Sequence, residues 1–203
     1  MARRSEHSPE EIKAMVLNAA ETIVIEEGFS SLKMRKIAMD IGYTVGSIYR
    51  VFANMADLIM HINARTLDNI AAQLEQVQDC AADQCIEALA QAYLSYASQN
   101  FNRWSMLFEY RFSQNTDIPA WYQEKLDAVF DRVEASFAQL APECPKDLRK
   151  QAAHALWDGV HGICMLSLSG KPDRMNINEV AETVDLLVSN FIRGWVASST
   201  GNL

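Results

Sequence analysis

Four side chains stand at a spacing that could hold a metal ion. His154, Asp158, His161 and Cys164 step by four, three and three residues, which places them on one face of a helix. Imidazole, carboxylate and thiolate are the donors that zinc accepts. One helix rarely supplies a whole site, however, and no second group of ligands stands elsewhere in the chain. A packed polar seam, with an aspartate steadying a ring, is the simpler reading. The same residues are thin ground for catalysis, because there is no Ser-His-Asp order, phosphate loop or paired carboxylates. No catalytic residue, metal or cofactor is expected. The four cysteines, Cys80, Cys85, Cys144 and Cys164, form no C-x-x-C pair. They are expected to be buried reduced thiols, three of them in apolar helical stretches, with no disulfide framework; the alternative, a redox-sensing thiol, has no activating neighbour in the sequence.

Charge points to different chemistry. The chain carries a net −8, yet residues 1–55 hold as many bases as acids, so the rest of the chain carries the whole excess. Within 33–55, Lys33, Arg35, Lys36 and Arg50 face only Asp40. A locally basic element on an acidic chain is compatible with DNA, because phosphate contacts are short range in salt. A plain acidic globule would show the same pattern. No apolar run reaches the ~18–20 residues that span a bilayer. Arg3 and Arg4 are not followed by an apolar stretch of the signal-peptide kind, so a cytoplasmic location is expected.

The elements that must position these residues are helical throughout. Ser8-Pro9-Glu10-Glu11 is a helix start, and Ile12, Met15, Ala19, Ala20 and Ile23 recur at three- and four-residue steps up to Gly28. A second, short helix fits Met34 to Ile41, closed by Gly42, and a third fits Val45 to Phe52. Asn54 and Asp57 suit the start of a fourth that reaches about Gln78. Further helices are predicted near 83–100, 102–112, 119–140, 146–169 and 177–198. Breaks fall at Asn100, 113–118, Pro142–Pro145 and Gly170-Lys171-Pro172. No strand pattern, repeat or flexible linker appears. With 203 residues, 49% of them apolar, and only 8 Gly and 5 Pro, the fold class is all-α, with about nine helices.

Two short helices joined by a glycine turn can cross steeply, so that the second projects into a major groove. Ala38, Gly42 and Ile48 supply the small residue, the turn and the apolar anchor. Thr44, Val45, Ser47, Tyr49 and Arg50 then form an outer face with hydroxyls for phosphates, a cation, and an apolar contact for a thymine methyl.

The run Gly42-Tyr43-Thr44-Val45-Gly46-Ser47-Ile48-Tyr49-Arg50-Val51-Phe52, followed by Asp57-Leu58, resembles the TetR/AcrR-family signature of transcriptional regulators. Gly28-Phe29 and Leu32 to Ala38 extend the resemblance over about residues 9–60. It implies a helix-turn-helix head (1–53) joined by a long fourth helix to a ligand-binding and dimerisation body (54–203). By position, Arg35 would reach a base edge and Lys33 a phosphate. Thr44, Val45 and Ser47, around Gly46, would face the groove, and Tyr49 would hydrogen-bond a phosphate, while Ile48 and Phe52 would be core. One departure stands out. The family's phosphate-contacting lysine at the start of helix four is Met55 here, so affinity would lean on Arg50, Lys33 and an Arg3/Arg4 arm.

The resemblance continues into the body. Ala155-Leu156-Trp157-Asp158-Gly159-Val160-His161-Gly162 resembles the "WHG" class of TetR ligand domains. Trp104, Phe108, Arg111, Trp121, Phe130, Trp157 and His161 are the candidate lining of a mostly apolar cavity, although aromatics at such spacing are also ordinary core. Arg111 would meet an anionic ligand or a structural carboxylate. Val180, Val184, Leu187, Val188 and Phe191 would face a symmetry mate, giving a homodimer on an inverted-repeat operator. The expected function is a repressor released from DNA by a small, largely apolar effector. The alternative is a DNA-binding protein without such an inducer, controlled by a protein partner or acting in chromosome organisation.

Overall fold

The computed structural model describes residues 7–112, 118–170 and 176–200. Among them are nine α-helices, one 3-10 turn and no strand. The chain divides into two compact units: Met1–Thr66 with Asn102–Ile118, and Leu67–Phe101 with Pro119–Leu203. The Arg3/Arg4 arm, residues 113–117 of the break expected at 113–118, and Lys171 and Pro172 of the break expected at Gly170-Lys171-Pro172 lie outside the described residues.

In the first unit, α1 (Pro9–Glu27) opens on a reciprocal cap. The Glu11 amide donates to Ser8 Oγ at 3.2 Å, and the Ser8 amide donates to Glu11 Oε2 at 2.6 Å. Gly28 ends the helix at φ +81°. After the 3-10 turn Phe29–Ser31 come α2 (Met34–Asp40) and α3 (Val45–Ile48). The third helix is shorter than the predicted span to Phe52. Its hydrogen bonds beyond Ile48 mix three- and four-residue closures, which wind the chain tightly up to Phe52 without extending the regular helix.

The turn between α2 and α3 is determined by backbone geometry. Tyr43 N–H donates to Ala38 O at 2.9 Å and Gly42 N–H to Met39 O at 3.2 Å. These two bonds satisfy carbonyls at the end of α2 and require the residue between them to be left-handed. Gly42 has φ +70°. Thr44 then caps α3, accepting from the Ser47 amide at 3.2 Å.

The first half of α4 (Met55–Glu75) and α6 (Phe101–Glu109) complete this unit. A head ending at residue 53 would leave the underside of α2 and α3 exposed. Instead Leu58, Ile59 and Ile62 from α4 and Met106 from α6 join Val16, Ile37, Ile48 and Phe52 in one buried cluster. Polar contacts hold the same elements together. Glu21 on α1 pairs with Arg103 on α6 and, at 2.9 Å, with Arg65 on α4. Asn102 Nδ2 donates to Ile25 O at 2.9 Å.

In the second unit, α5 (Ala82–Gln99) packs on α7 (Ala120–Leu140), α8 (Lys146–Leu168) and α9 (Ile177–Thr200), and α8 packs on both α7 and α9. Gln91 on α5 bridges to α9, donating to Ala181 O at 3.0 Å and Asp185 Oδ1 at 2.7 Å. Gly159 lets α8 and α9 approach, since a Cβ there would lie 2.9 Å from Leu187 Cδ2.

The cysteines depart from expectation. Cys80 and Cys85 form a disulfide, because the turn into α5 brings their Cα atoms to 5.4 Å. Only Cys85 and Cys164 lie in helices, while Cys80 and Cys144 are in loops. Cys164 is a buried free thiol, and burial pushes its pKa up to about 12.

At Gly42 a Cβ would meet nothing within 4 Å, so any cost of a side chain is backbone strain alone. Gly42→Ala should destabilise the protein by about 1–2 kcal/mol, and Gly42→Asn by less, in denaturant unfolding. Equal stability of all three would disprove this account of the turn.

Candidate nucleic-acid interface and ligand sites

The outer face of α2 and α3 is built on buried anchors. Ile37 and Ile48 are fully buried and Ala38 nearly so. Opposite them, Lys33, Arg35, Thr44, Gly46, Tyr49 and Arg50 are exposed. Tyr49 is 51% exposed, so its ring is not core. Phe52 is core, at 1%. Two of the groove-facing candidates sit differently. Val45 is half-buried against the core cluster, leaving only part of its side chain outside. Ser47 is also half-buried, and its Oγ lies 3.0 Å from Thr44 Oγ1, so both hydroxyls are engaged in the cap.

The cations near this face are not equivalent. Lys36 pairs with Glu27. Lys13 lies 3.2 Å from His61 Nε2 and 5.4 Å from the Phe52 ring centre. Met55, where the family has lysine, is half-buried against the core. This position is therefore used for packing.

Sequence reasoning missed two features here. Met39 is 80% exposed, four residues beyond Arg35 on α2. Its phase against Ile37 and Ala38 was the available signal. His7 Nδ1 and Tyr43 Oη lie 2.7 Å apart, tying the start of the chain to the turn. Residues 36 apart with no shared period carry no such signal.

The seven lining candidates fall in both units. In the first, Trp104 is fully buried and meets Phe108 edge-on at 5.6 Å. Arg111 is exposed and lies past the end of α6, so it is not the cation on an apolar helix face that the spacing implied. In the second, Trp121 packs edge-on against Tyr122. Phe130 stacks on His154 at 4.3 Å and lies 5.6 Å from Trp157. Tyr93 Oη is 3.0 Å from His161 Nδ1, and the Tyr93 ring lies 4.3 Å from Trp157. Close by is a small apolar cavity of about 10 Å³, lined by Ile86, Leu89, Ala90, Val133, Leu156, Trp157 and Val160. That is about the room one water needs, and an apolar lining of this kind stays dry.

The seam along α8 goes to separate neighbours. His154 lies 3.4 Å from Glu134, Asp158 is exposed, His161 meets Tyr93 and Cys164 is buried. Among the described residues no three His, Cys, Asp or Glu side chains gather closely enough to hold a metal ion.

The expected dimer stripe also turns inward. Val180, Val184 and Val188 are essentially fully buried within the protomer, because α9 uses that face against α5 and α8. Leu187 and Phe191 are half-buried, against Gly159 and Phe137 respectively. Among the described residues of α8 and α9, the most exposed large apolar side chains are Leu166, at 63%, and Leu186, at 65%, with Leu148 and Ile177 less so.

Comparison with known proteins decides the family. Residues 16–62 match the family described as "Bacterial regulatory proteins, tetR family". Residues 86–191 match "Tetracyclin repressor-like, C-terminal domain". The chain belongs to the TetR family. It is a DNA-binding transcriptional regulator of the helix-turn-helix class. An uncharacterized HTH-type transcriptional regulator of Mycobacterium tuberculosis is 26% identical over 166 residues, 81% of this chain and 74% of its own length. A Staphylococcus aureus HTH-type regulator is 32% identical over 60 residues, 30% of this chain and 32% of its own. Among solved structures, a Rhodococcus protein of unknown function superposes with a TM-score of 0.72 at 20% identity, covering 96% of this chain and 98% of its own. The regulator FadR from Bacillus subtilis, in complex with stearoyl-CoA, superposes with 0.67 at 12% identity, covering 89% and 98%. Both share the fold.

Two histidines of the TetR-family chain have pKa values below the usual imidazole value. Burial lowers the pKa of His61, assisted by Lys13 and opposed by Asp57. Burial likewise lowers His161, opposed by Asp158. The unfolded chain titrates near the usual ~6.5 and therefore binds more protons just below that value. Both groups contribute full stability above about pH 6.5 and lose it as pH falls through their folded values. Unfolding at pH 7.5 and 5.5 should show lower stability at the acid end, and a smaller loss in His161→Gln. An unchanged acid loss in that variant would remove His161 from the account.

Proposed function

We propose that the chain is a repressor that binds an inverted-repeat operator as a homodimer and is released by a small, largely apolar effector. The observation that carries the DNA half is the outer face of Lys33, Arg35, Thr44, Tyr49 and Arg50 over fully buried Ile37 and Ile48. A rigid base under exposed donors is what groove reading needs. Lys33, Tyr49 and Arg50 hold phosphates. Arg35 reads a base edge, and the exposed part of Val45, beside Gly46 and Ser47, meets the groove wall. The role is regulatory rather than enzymatic.

The effector half rests on the dry cavity between α5, α7 and α8 and on the aromatic wall of Tyr93, Phe130 and Trp157. The cavity is too small for an organic molecule, so an effector enters by parting those helices and favours the parted state. The fold neighbour that binds stearoyl-CoA supports an acyl chain as the class to try first. His161, with Tyr93, is the polar end of this wall.

Gel shifts on the operator test this reading. Tyr49→Phe should weaken binding by a similar factor on every sequence, and Arg35→Ala should relax preference at one base pair. An added acyl-CoA should dissociate the wild-type complex. Unchanged affinity and preference in both variants would reject the contact assignment.

Leu166 and Leu186 are the anchors of the homodimer, since the valines of α9 are already used inside the protomer. Leu186→Glu should give a monomer in light scattering with little loss of fold. Val184→Ala should instead lower stability by about 1–3 kcal/mol and leave the dimer intact. A dimeric Leu186→Glu would place the interface elsewhere.

A further inference from the structure

The α4–α5 loop and the start of α5 contain chemistry that neither DNA reading nor effector binding uses. Asp79 has φ +58°, the left-handed region that Asp tolerates better than most residues. This turn folds the chain back so that Cys80 meets Cys85 in the first turn of α5. The helix start is otherwise weakly held. Ala81, at its N-cap, has no side chain to bond the open amides. The disulfide stands where a cap would.

A DNA-binding regulator works beside the chromosome, where cellular thiols keep protein cysteines reduced. Disulfides there are mostly transient or redox-sensing. A bond closing a loop between residues five apart also gains less from chain entropy than one closing a long loop. Both arguments weigh against a purely structural staple.

We propose that Cys80 and Cys85 are a reversible thiol-modification site, oxidised by a small disulfide of the glutathione class, whose state sets how firmly the start of α5 is held. Cys80, half-exposed, attacks first. Its thiolate bonds one sulfur of the small disulfide, and the other half leaves with the electron pair as a thiolate. Cys85 then gives up its proton and attacks the Cys80 sulfur, expelling the second small thiolate. The protein loses two electrons and two protons, and one small disulfide becomes two thiols. Cys164 does not compete, because it is fully buried and its thiol is pushed up to about 12.

The consequence reaches further along α5. Ile86, Leu89 and Ala90 line the apolar cavity, and Ile86 directly follows Cys85. Oxidation clamps the turn that leads into this wall. Reduction leaves an uncapped helix end free to fray.

The full-length protein, equilibrated in buffers of graded reduced-to-oxidised glutathione ratio, tests this. Samples are quenched in acid, denatured, labelled with N-ethylmaleimide and weighed by mass spectrometry. Labels per chain should fall from four to two across the series and return to four on re-reduction, with peptides placing the loss at Cys80 and Cys85. Cys85→Ser should stop at one glutathione on Cys80. Amides of 81–90 should exchange faster in the reduced protein. Four labels at every ratio, two labels at the most reducing ratio, a loss at Cys144 or Cys164, or equal exchange in both forms would each overturn the proposal. None of these readouts depends on an operator or effector, so they stand apart from the fate of the repressor reading.

Discussion

Helices of seven and four residues have almost no stability of their own, because nucleation consumes what a few hydrogen bonds return. The helix-turn-helix is built from two such helices, α2 and α3. The buried cluster beneath them, in which Ile37, Ile48 and Phe52 meet Val16, Leu58, Ile62 and Met106, therefore holds the first unit in shape. Everything outside is arranged around it. Gly42 turns the chain so that Ile48 can reach the cluster, Thr44 caps α3, and Glu21 joins three helices through Arg65 and Arg103. The exposed face of Tyr49 and Arg50 is rigid because the opposite face has nowhere to go.

The second unit obeys a different constraint. Its helices are long enough to persist, so the question is which faces they share. α9 spends its valine stripe on α5 and α8, Gly159 admits Leu187, and Gln91 bonds a carbonyl and a carboxylate across the packing seam. The cavity that this packing leaves beside Trp157 is small and dry.

Much of this architecture can be read from spacing. The long helices are legible because apolar residues recur at three and four and because Ser8-Pro9-Glu10-Glu11 and Asn54-Asp57 mark helix starts. Both starts are capped, and Asp57 N–H donates to Asn54 Oδ1 at 2.9 Å. The buried anchors of the helix-turn-helix follow from the same periodicity. Periodicity identifies an apolar face without saying what covers it, which is why the α9 valines could be mistaken for a partner-facing stripe. The share of α4 and α6 in the first unit depends on Met106 meeting residues ninety positions away. Such long-range pairs have no local signature. The Cys80–Cys85 bond was hidden because cysteines five positions apart fit a helix, a loop or a bridge equally well.

The commitment of charges on the head has a consequence for how the protein finds its site. Lys36 is held by Glu27, Lys13 sits by His61 and Phe52, and Met55 offers no charge; among the described residues Lys33, Arg35 and Arg50 are exposed on or beside α2 and α3. Each phosphate neutralised adds about 0.9 to the slope of log affinity against log salt. Were these three the phosphate contacts, they and an acidic remainder would give a shallow slope and little hold on random DNA. Most encounters with the chromosome would then be brief, and residence time would concentrate at sequences whose base edges fit.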